Sequence, residues 1–291
     1  MRTYLHAFVF CATVSLSAVA ENPIKTTYHL STEPIDVVIP CHEKDARMLP
    51  LVIEGIKEHA QGIRRIIVVS ANRINDQTEW FNEAHYPFSK LDVACELFDT
   101  LEQAKAYINQ PSSRIGWIYQ QLLKLYAPLV IPDISSNVLV VDADTVFLRP
   151  VSFIGPNGEA YFNVGTEYHT PYFEHAKRLI PWLKKVYPQY SGICHHMLFQ
   201  RPVLQDLFKT IYSYHQIEPW KAILRCIDKT HLNYSSFSEY EIYFNFAMLR
   251  SDQMKLRPLK WHNLVTRIDA IKPLARSGFD YASCHSYWRE Q

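Results

Sequence analysis

Two aspartates separated by one small residue, Asp142-Ala143-Asp144, close the apolar run Val138-Leu139-Val140-Val141. A β-branched run without alternation predicts a strand buried on both faces. Its carboxyl end is then where open α/β sheets take their ligands. In an extended segment residues two apart point the same way, and Ala143 leaves room between the carboxylates. Two hard oxygens on one side suit a magnesium or manganese ion whose other positions go to phosphate oxygens and water. The competing reading is a turn with solvated carboxylates.

The elements around this triplet alternate strand and helix. Ile35–Pro40 reads as a short strand stopped by proline. Ala46 to His59 has helical spacing in Leu49, Val52, Ile53 and Ile56, and Ile66-Ile67-Val68-Val69 is the next strand. Together they make a βαβ unit, right-handed by default. A weaker strand is expected over Val93 to Phe98, and a helix over Ile115 to Tyr126. On that helix Trp117, Gln121 and Lys124 share one face. Beyond Pro150, strands are expected at Tyr161 to Val164 and Ile193 to Phe199, with a helix from Tyr172 to Val186 between them; helices dominate from Arg201 to Leu249. The expected fold class is α/β: one Rossmann-like domain over 35–291, a nucleotide-binding half at 35–150 and a helix-rich acceptor half at 151–291. No Gly-rich dinucleotide fingerprint and no phosphate loop occurs among the eight glycines, which removes the common NAD and ATP readings.

Thirty basic and 29 acidic side chains leave a formal charge of +1, so no bulk field draws the chain to nucleic acid or anionic lipid. With 291 residues, 48% of them apolar, it can bury a substantial core. Residues 1–20 are expected to be a secretory signal: Arg2, an apolar stretch from Ala7, and Ala18-Val19-Ala20 at a cleavage position. The alternative is an uncleaved segment that tethers the protein to a membrane. Residues 21–34 then form an amino-terminal extension. After loss of Cys11, the five remaining cysteines are irregularly spaced, which fits no disulfide framework or zinc finger and suggests small buried residues.

In order along the chain, four pieces resemble the glycosyltransferases of the GT-A fold. They are Ile35–Pro40 with Cys41-His42-Glu43-Lys44, the helix Gly116 to Leu125, Asp142-Ala143-Asp144-Thr145, and Ser238-Glu239-Tyr240-Glu241. The likeness runs from about Ile35 to Trp288 and is nearest to bacterial-type glycosyltransferase-like domains of unassigned substrate. It implies a divalent cation, Mn2+ or Mg2+, a nucleotide-sugar donor, and a glycan, lipid or protein acceptor. Asp142 and Asp144 would hold the metal, with Asp142 also toward the ribose. Pro40, His42, Glu43 and Arg73 would border the nucleotide, and Gln121 and Lys124 the donor, with Lys124 either meeting a phosphate or standing solvated. Related enzymes often take a third ligand from a late histidine, which points to His285, with His262 competing.

An inverting transfer needs a carboxylate to take the acceptor's proton. Glu239 and Glu241 are the candidates. Two residues apart on a helix they diverge by about 200°, so one at most faces the site; Glu239 is preferred, and Ser238 reads as the cap. His195 and His196 point to opposite faces of a strand, so they do not chelate one ion easily. One is expected at the acceptor pocket and the other in the core. Alternative functions are a secreted metal-dependent hydrolase and an inactive carbohydrate-binding relative.

Overall fold

The computed structural model describes residues 23–263 and 265–289. The expected secretory segment at 1–20 lies outside them. Among the described residues no helix is long and apolar enough to cross a membrane.

The chain opens with strand β1 (Ile35–Pro40), helix α1 (Leu49–His59) and strand β2 (Ile63–Ser70), the βαβ unit expected from the spacing. Strand β3 (Glu79–Asn82) pairs parallel to β2, a strand the sequence pattern did not reveal. The segment read as a weak strand at Val93 to Phe98 is instead helix α2 (Lys90–Leu97). Ser89 caps it, accepting from the Asp92 amide while Asp92 reaches back to the Ser89 amide. This reciprocal cap decides the conformation over the β propensity of one valine. Helices α3 (Leu101–Ile108) and α4 (Ile115–Val130) follow. Then come β4 (Asn137–Val141), β5 (Thr145–Phe147) and β6 (Tyr161–Phe162).

The second half contributes α5 (Thr170–Leu179), shorter than the helix expected to Val186, and β7 (His196–Gln200). Helices α6 (Arg201–His215), α7 (Pro219–Arg225) and α8 (Glu239–Arg250) come next. The short strands β8 (Lys255–Leu256), β9 (Trp261–His262) and β10 (Tyr281–Ser283) end the fold.

The central sheet has the order β3-β2-β1-β4-β7. All of its pairs are parallel except β4 with β7. The fold is therefore α/β, a mostly parallel sheet flanked by helices. Val138, Leu139, Val140 and Val141 of β4 are fully buried, and each contributes about 1.5–3 kcal/mol relative to exposure. A single hydrophobic cluster contains residues from Tyr28 to Cys284, so the halves on either side of residue 150 share one core. The extension before β1 belongs to it as well: the Tyr28 phenol donates to Asp206 at 2.6 Å.

The one charged residue inside β1 is Asp36. It accepts from Arg64 at 2.8 and 2.6 Å, from Arg65 at 3.1 Å and from the Ser135 amide at 2.9 Å. Burial alone would raise its pKa, but these donors outweigh burial and hold it below the usual carboxylate range. The bonds tie β1, β2 and the approach to β4 together at the end of the sheet opposite the site.

Candidate functional site

Because β1, β2 and β4 run parallel, their carboxyl ends open on one side, as ligand-binding edges of such sheets do. There Pro40, Val69, Ser70 and Asp142 line a cleft of about 710 Å³, with α4 and the start of α8 as further walls.

The acid pair is not extended. It makes a turn between β4 and β5, closed by the Thr145 amide donating to the Asp142 carbonyl at 3.0 Å. The turn separates the carboxylates' partners while keeping both in the cleft. Strand register supplies those partners. Val141 pairs with His196, which sets His195 beside Asp142; the Asp142 amide donates to the His195 carbonyl at 3.0 Å. Thr145 pairs antiparallel with Ser283, and the Cys284 amide donates to the Asp144 carbonyl. That pairing brings the His285 ring to Asp144, with Nδ1 2.9 Å from Oδ2.

Asp142 anchors a buried ion triad. The Lys124 ammonium lies 2.5 Å from Asp142 Oδ1 and 2.9 Å from Glu239 Oε1, and over the Tyr240 ring at 4.5 Å. The Tyr240 phenol donates to Asp142 at 3.3 Å, and the Gln121 side-chain amide, turned so that its nitrogen faces the carboxylate, donates to Glu239. Lys124 and Glu239 are 4% and 1% exposed in their side chains, so neither is a solvated surface group. Burial by itself would raise the Asp142 pKa, yet the ammonium beside it holds it well below the carboxylate range. Burial raises that of Glu239, with Lys124 opposing.

His195 is the strained member of the site. Its φ of 62° is left-handed, a conformation in which histidine is among the commoner non-glycine residues. The twist turns its ring to the cleft: Nδ1 lies 3.5 Å from Asp142 Oδ2, and the ring stands 5.0 Å from that of His285 and 5.3 Å from that of Trp261. His196, back in the pleat, packs between Phe147, Phe153 and Tyr281, and neither ring nitrogen has a hydrogen-bond partner among the described residues. Burial pushes its pKa down to about 3, so it is a neutral core residue.

Of the residues expected at the site, Pro40, His42, Glu43, Gln121, Lys124, Asp142, Asp144, His195, Glu239 and His285 line the cleft. Three others do not. Arg73 points to solvent and pairs with Asp76 at 3.1 Å, although its neighbours Asn72 and Ile74 are in the lining. Glu241 faces away, accepting from the Gly192 amide at 2.9 Å and from Asn245 at 2.6 Å. His196 is in the core. Between the two late histidines, His285 reaches the acid pair and His262 lies against Phe279 instead.

Glu167, in the segment Gly165-Thr166-Glu167-Tyr168 that the sequence places beside the donor sugar, lines the cleft, whereas Arg114 and Tyr287 are lining residues that sequence spacing did not single out. Arg114 precedes α4, its guanidinium 5.2 Å from the Trp117 ring, and among the described residues no carboxylate pairs with it. Its position three residues before Trp117 was the available signal.

Whether the site fits a divalent ion turns on Asp144. Its Oδ1 is buried with no hydrogen-bond partner among the described residues, and its Oδ2 lies 2.9 Å from the His285 imidazole, so a hard carboxylate oxygen free to take a divalent ion stands next to a nitrogen donor. Among the described residues no group of three His, Cys, Asp or Glu side chains is arranged to hold an ion. An ion on Asp144 and His285 would therefore complete its shell with donor phosphates and water, the usual habit of magnesium at nucleotides.

No curated protein matches the chain. Residues 32–272, most of the chain and nearly all of the cleft, match a family of unknown function, DUF6492, and the protein belongs to that family.

Proposed function

We propose that this protein is a metal-dependent glycosyltransferase that uses a nucleotide-diphosphate sugar. The observation that carries the reading is the convergence of Asp142, Asp144, His285, Lys124 and Glu239 at the carboxyl ends of parallel strands, in a cleft large enough for such a donor. Pro40, His42, Ser70 and Asn72 border the end of the cleft suited to the nucleoside.

Departure of a nucleoside diphosphate leaves an oxocarbenium-like sugar and a charged leaving group. A divalent ion on Asp144 and His285 would stabilise that charge as a Lewis acid. Arg114, whose charge no acid matches among the described residues, can meet phosphate oxygens directly. Lys124 is already spanned between two carboxylates, so its part is to fix Asp142 and Glu239 as acceptors for the hydroxyls of the sugar or ribose. Glu239 is 1% exposed and held by Lys124 and Gln121, which suits donor positioning better than proton transfer to an incoming acceptor. Glu167 and Glu43 are exposed carboxylates in the lining, and Glu43 lies on the loop that borders the nucleotide end.

The test is release of nucleoside diphosphate from a panel of nucleotide sugars, with and without manganese, by the wild type and by Asp144→Ala. Release is expected only with manganese, and Asp144→Ala is expected to lower it by roughly 100-fold or more. Equal, metal-independent release by both proteins defeats the mechanism.

A further inference from the structure

The exposed aromatic residues are not scattered evenly. Tyr287 lines the cleft, Trp288 follows it, Tyr168 follows the lining residue Glu167, and Tyr234 precedes the lining residue Ser235. Tyr287 and Tyr168 are 74% and 62% exposed. Single exposed apolar residues need no explanation, but several exposed Tyr and Trp residues at lining positions or next to them in sequence do.

Two of these rings are held in place. Tyr287 stacks on His285 with centroids 5.2 Å apart and planes 9° apart. Tyr168 stacks on Phe173 at 5.0 Å and 25°, with the Lys185 ammonium 4.6 Å from its ring. Preorganised flat rings lose little freedom when a ligand lies on them. Next to Tyr168 in the chain, Glu167 lines the cleft and presents a carboxylate that makes no ion pair among the described residues.

We infer that this rim is a subsite for a neutral saccharide acceptor, with Tyr287 and Tyr168 as stacking faces and Glu167 as acceptor of hydroxyl hydrogen bonds. The inference rests on the transferase reading and names the class of its acceptor. A pyranose has one face of C–H bonds and an edge of hydroxyls, so it matches separate aromatic rings with a carboxylate beside them. A lipid chain would want a continuous apolar strip, whereas Glu167, Ser235 and Ser286 interrupt this rim.

The experiment uses the full chain and saturation-transfer NMR with cellobiose, maltose, lactose and diacetylchitobiose, alongside neutral phosphatidylcholine vesicles. At least one disaccharide is expected to bind, and Tyr168→Ala and Glu167→Gln are each expected to weaken it by about tenfold. Both side chains are exposed, and circular dichroism verifies that the variants are folded. Failure of every disaccharide to bind, undiminished binding in both variants, or binding of vesicles alone overturns the inference. A parallel titration of the wild type with uridine and guanosine diphosphates in manganese separates the two proposals. Disaccharide binding without nucleotide binding upholds the subsite and defeats the transferase. Nucleotide binding without disaccharide binding does the reverse.

Discussion

Lys124 carries more of the site than its sequence position announces. Its ammonium compensates two buried carboxylates at once, so removing it leaves Asp142 and Glu239 charged, close and unmatched. Breaking a buried pair in this way costs about 3–5 kcal/mol. Lys124→Met is therefore expected to lose that much in urea unfolding. Glu239→Gln is expected to lose only about 1 kcal/mol, because Lys124 keeps Asp142 and the Gln121 amide can reorient. Similar losses for the two variants would show that the triad is not the compensating unit described. Residue identity made some of this legible in advance. Asp142, Asp144, Glu239 and His285 were readable because they lie at strand and helix ends in a chain whose pieces resemble a known family, although a turn or a helix cap was an equally ordinary use for the acids. Lys124 was ambiguous because spacing gives a face without saying what covers it. Arg73, Glu241 and His196 had equally suggestive chemistry, but their partners Asp76, Gly192 and the Phe147–Phe153–Tyr281 cage are visible only in three dimensions.

Strand register converts these side chains into a site. The pairing of β4 with β7 places His195, and that of β5 with β10 places His285; neither partner strand is near in sequence. The βαβ start and β4 were legible because local hydrophobic runs specify them. The short strands β3, β5, β8 and β9 were not, since two to four residues carry no period. The loop before β7 is fixed from the other side by α8, where a Cβ at Gly192 would meet Phe244 Cβ at 2.7 Å and the Tyr240 carbonyl oxygen at 3.0 Å. Gly192→Ala is thus expected to push the loop off α8 and strain the Gly192–Glu241 bond, at a cost of about 1–3 kcal/mol. Ser238→Ala removes the cap that accepts from the Glu241 amide and is expected to cost about 1 kcal/mol. Thermal melts measure both. A Gly192→Ala variant as stable as the wild type would mean that this close approach does not constrain the loop.

At the scale of the whole molecule, buried titratable groups set the pH at which the fold is most stable. His196 and His175 are held neutral by burial, with pKa values pushed down from 6.5 to about 3 and about 4. The unfolded chain binds protons at these positions first as pH falls, so their contribution is fully present above pH 6.5 and is lost as pH falls toward those values. Glu241 acts in the opposite sense. Burial raises it to about 7, against its hydrogen bonds from Asn245 and Gly192. Its contribution is fully present below the ordinary 4.5 and is lost as pH rises through 7. Each group changes stability by about 1.4 kcal/mol per pH unit inside its own window. Between pH 6.5 and 4.5 the two histidines lower stability on acidification, while Glu241 and Glu239, both raised by burial, oppose them. The histidine contribution is isolated by comparing the wild type with His196→Phe, whose ring would fill the same aromatic cage. In urea unfolding from pH 6.5 to 4.5 the variant is expected to gain stability relative to the wild type by about 1.4 kcal/mol per unit of acidification. Parallel profiles for the two proteins over that range would mean that His196 is not held in the protonation state its burial dictates.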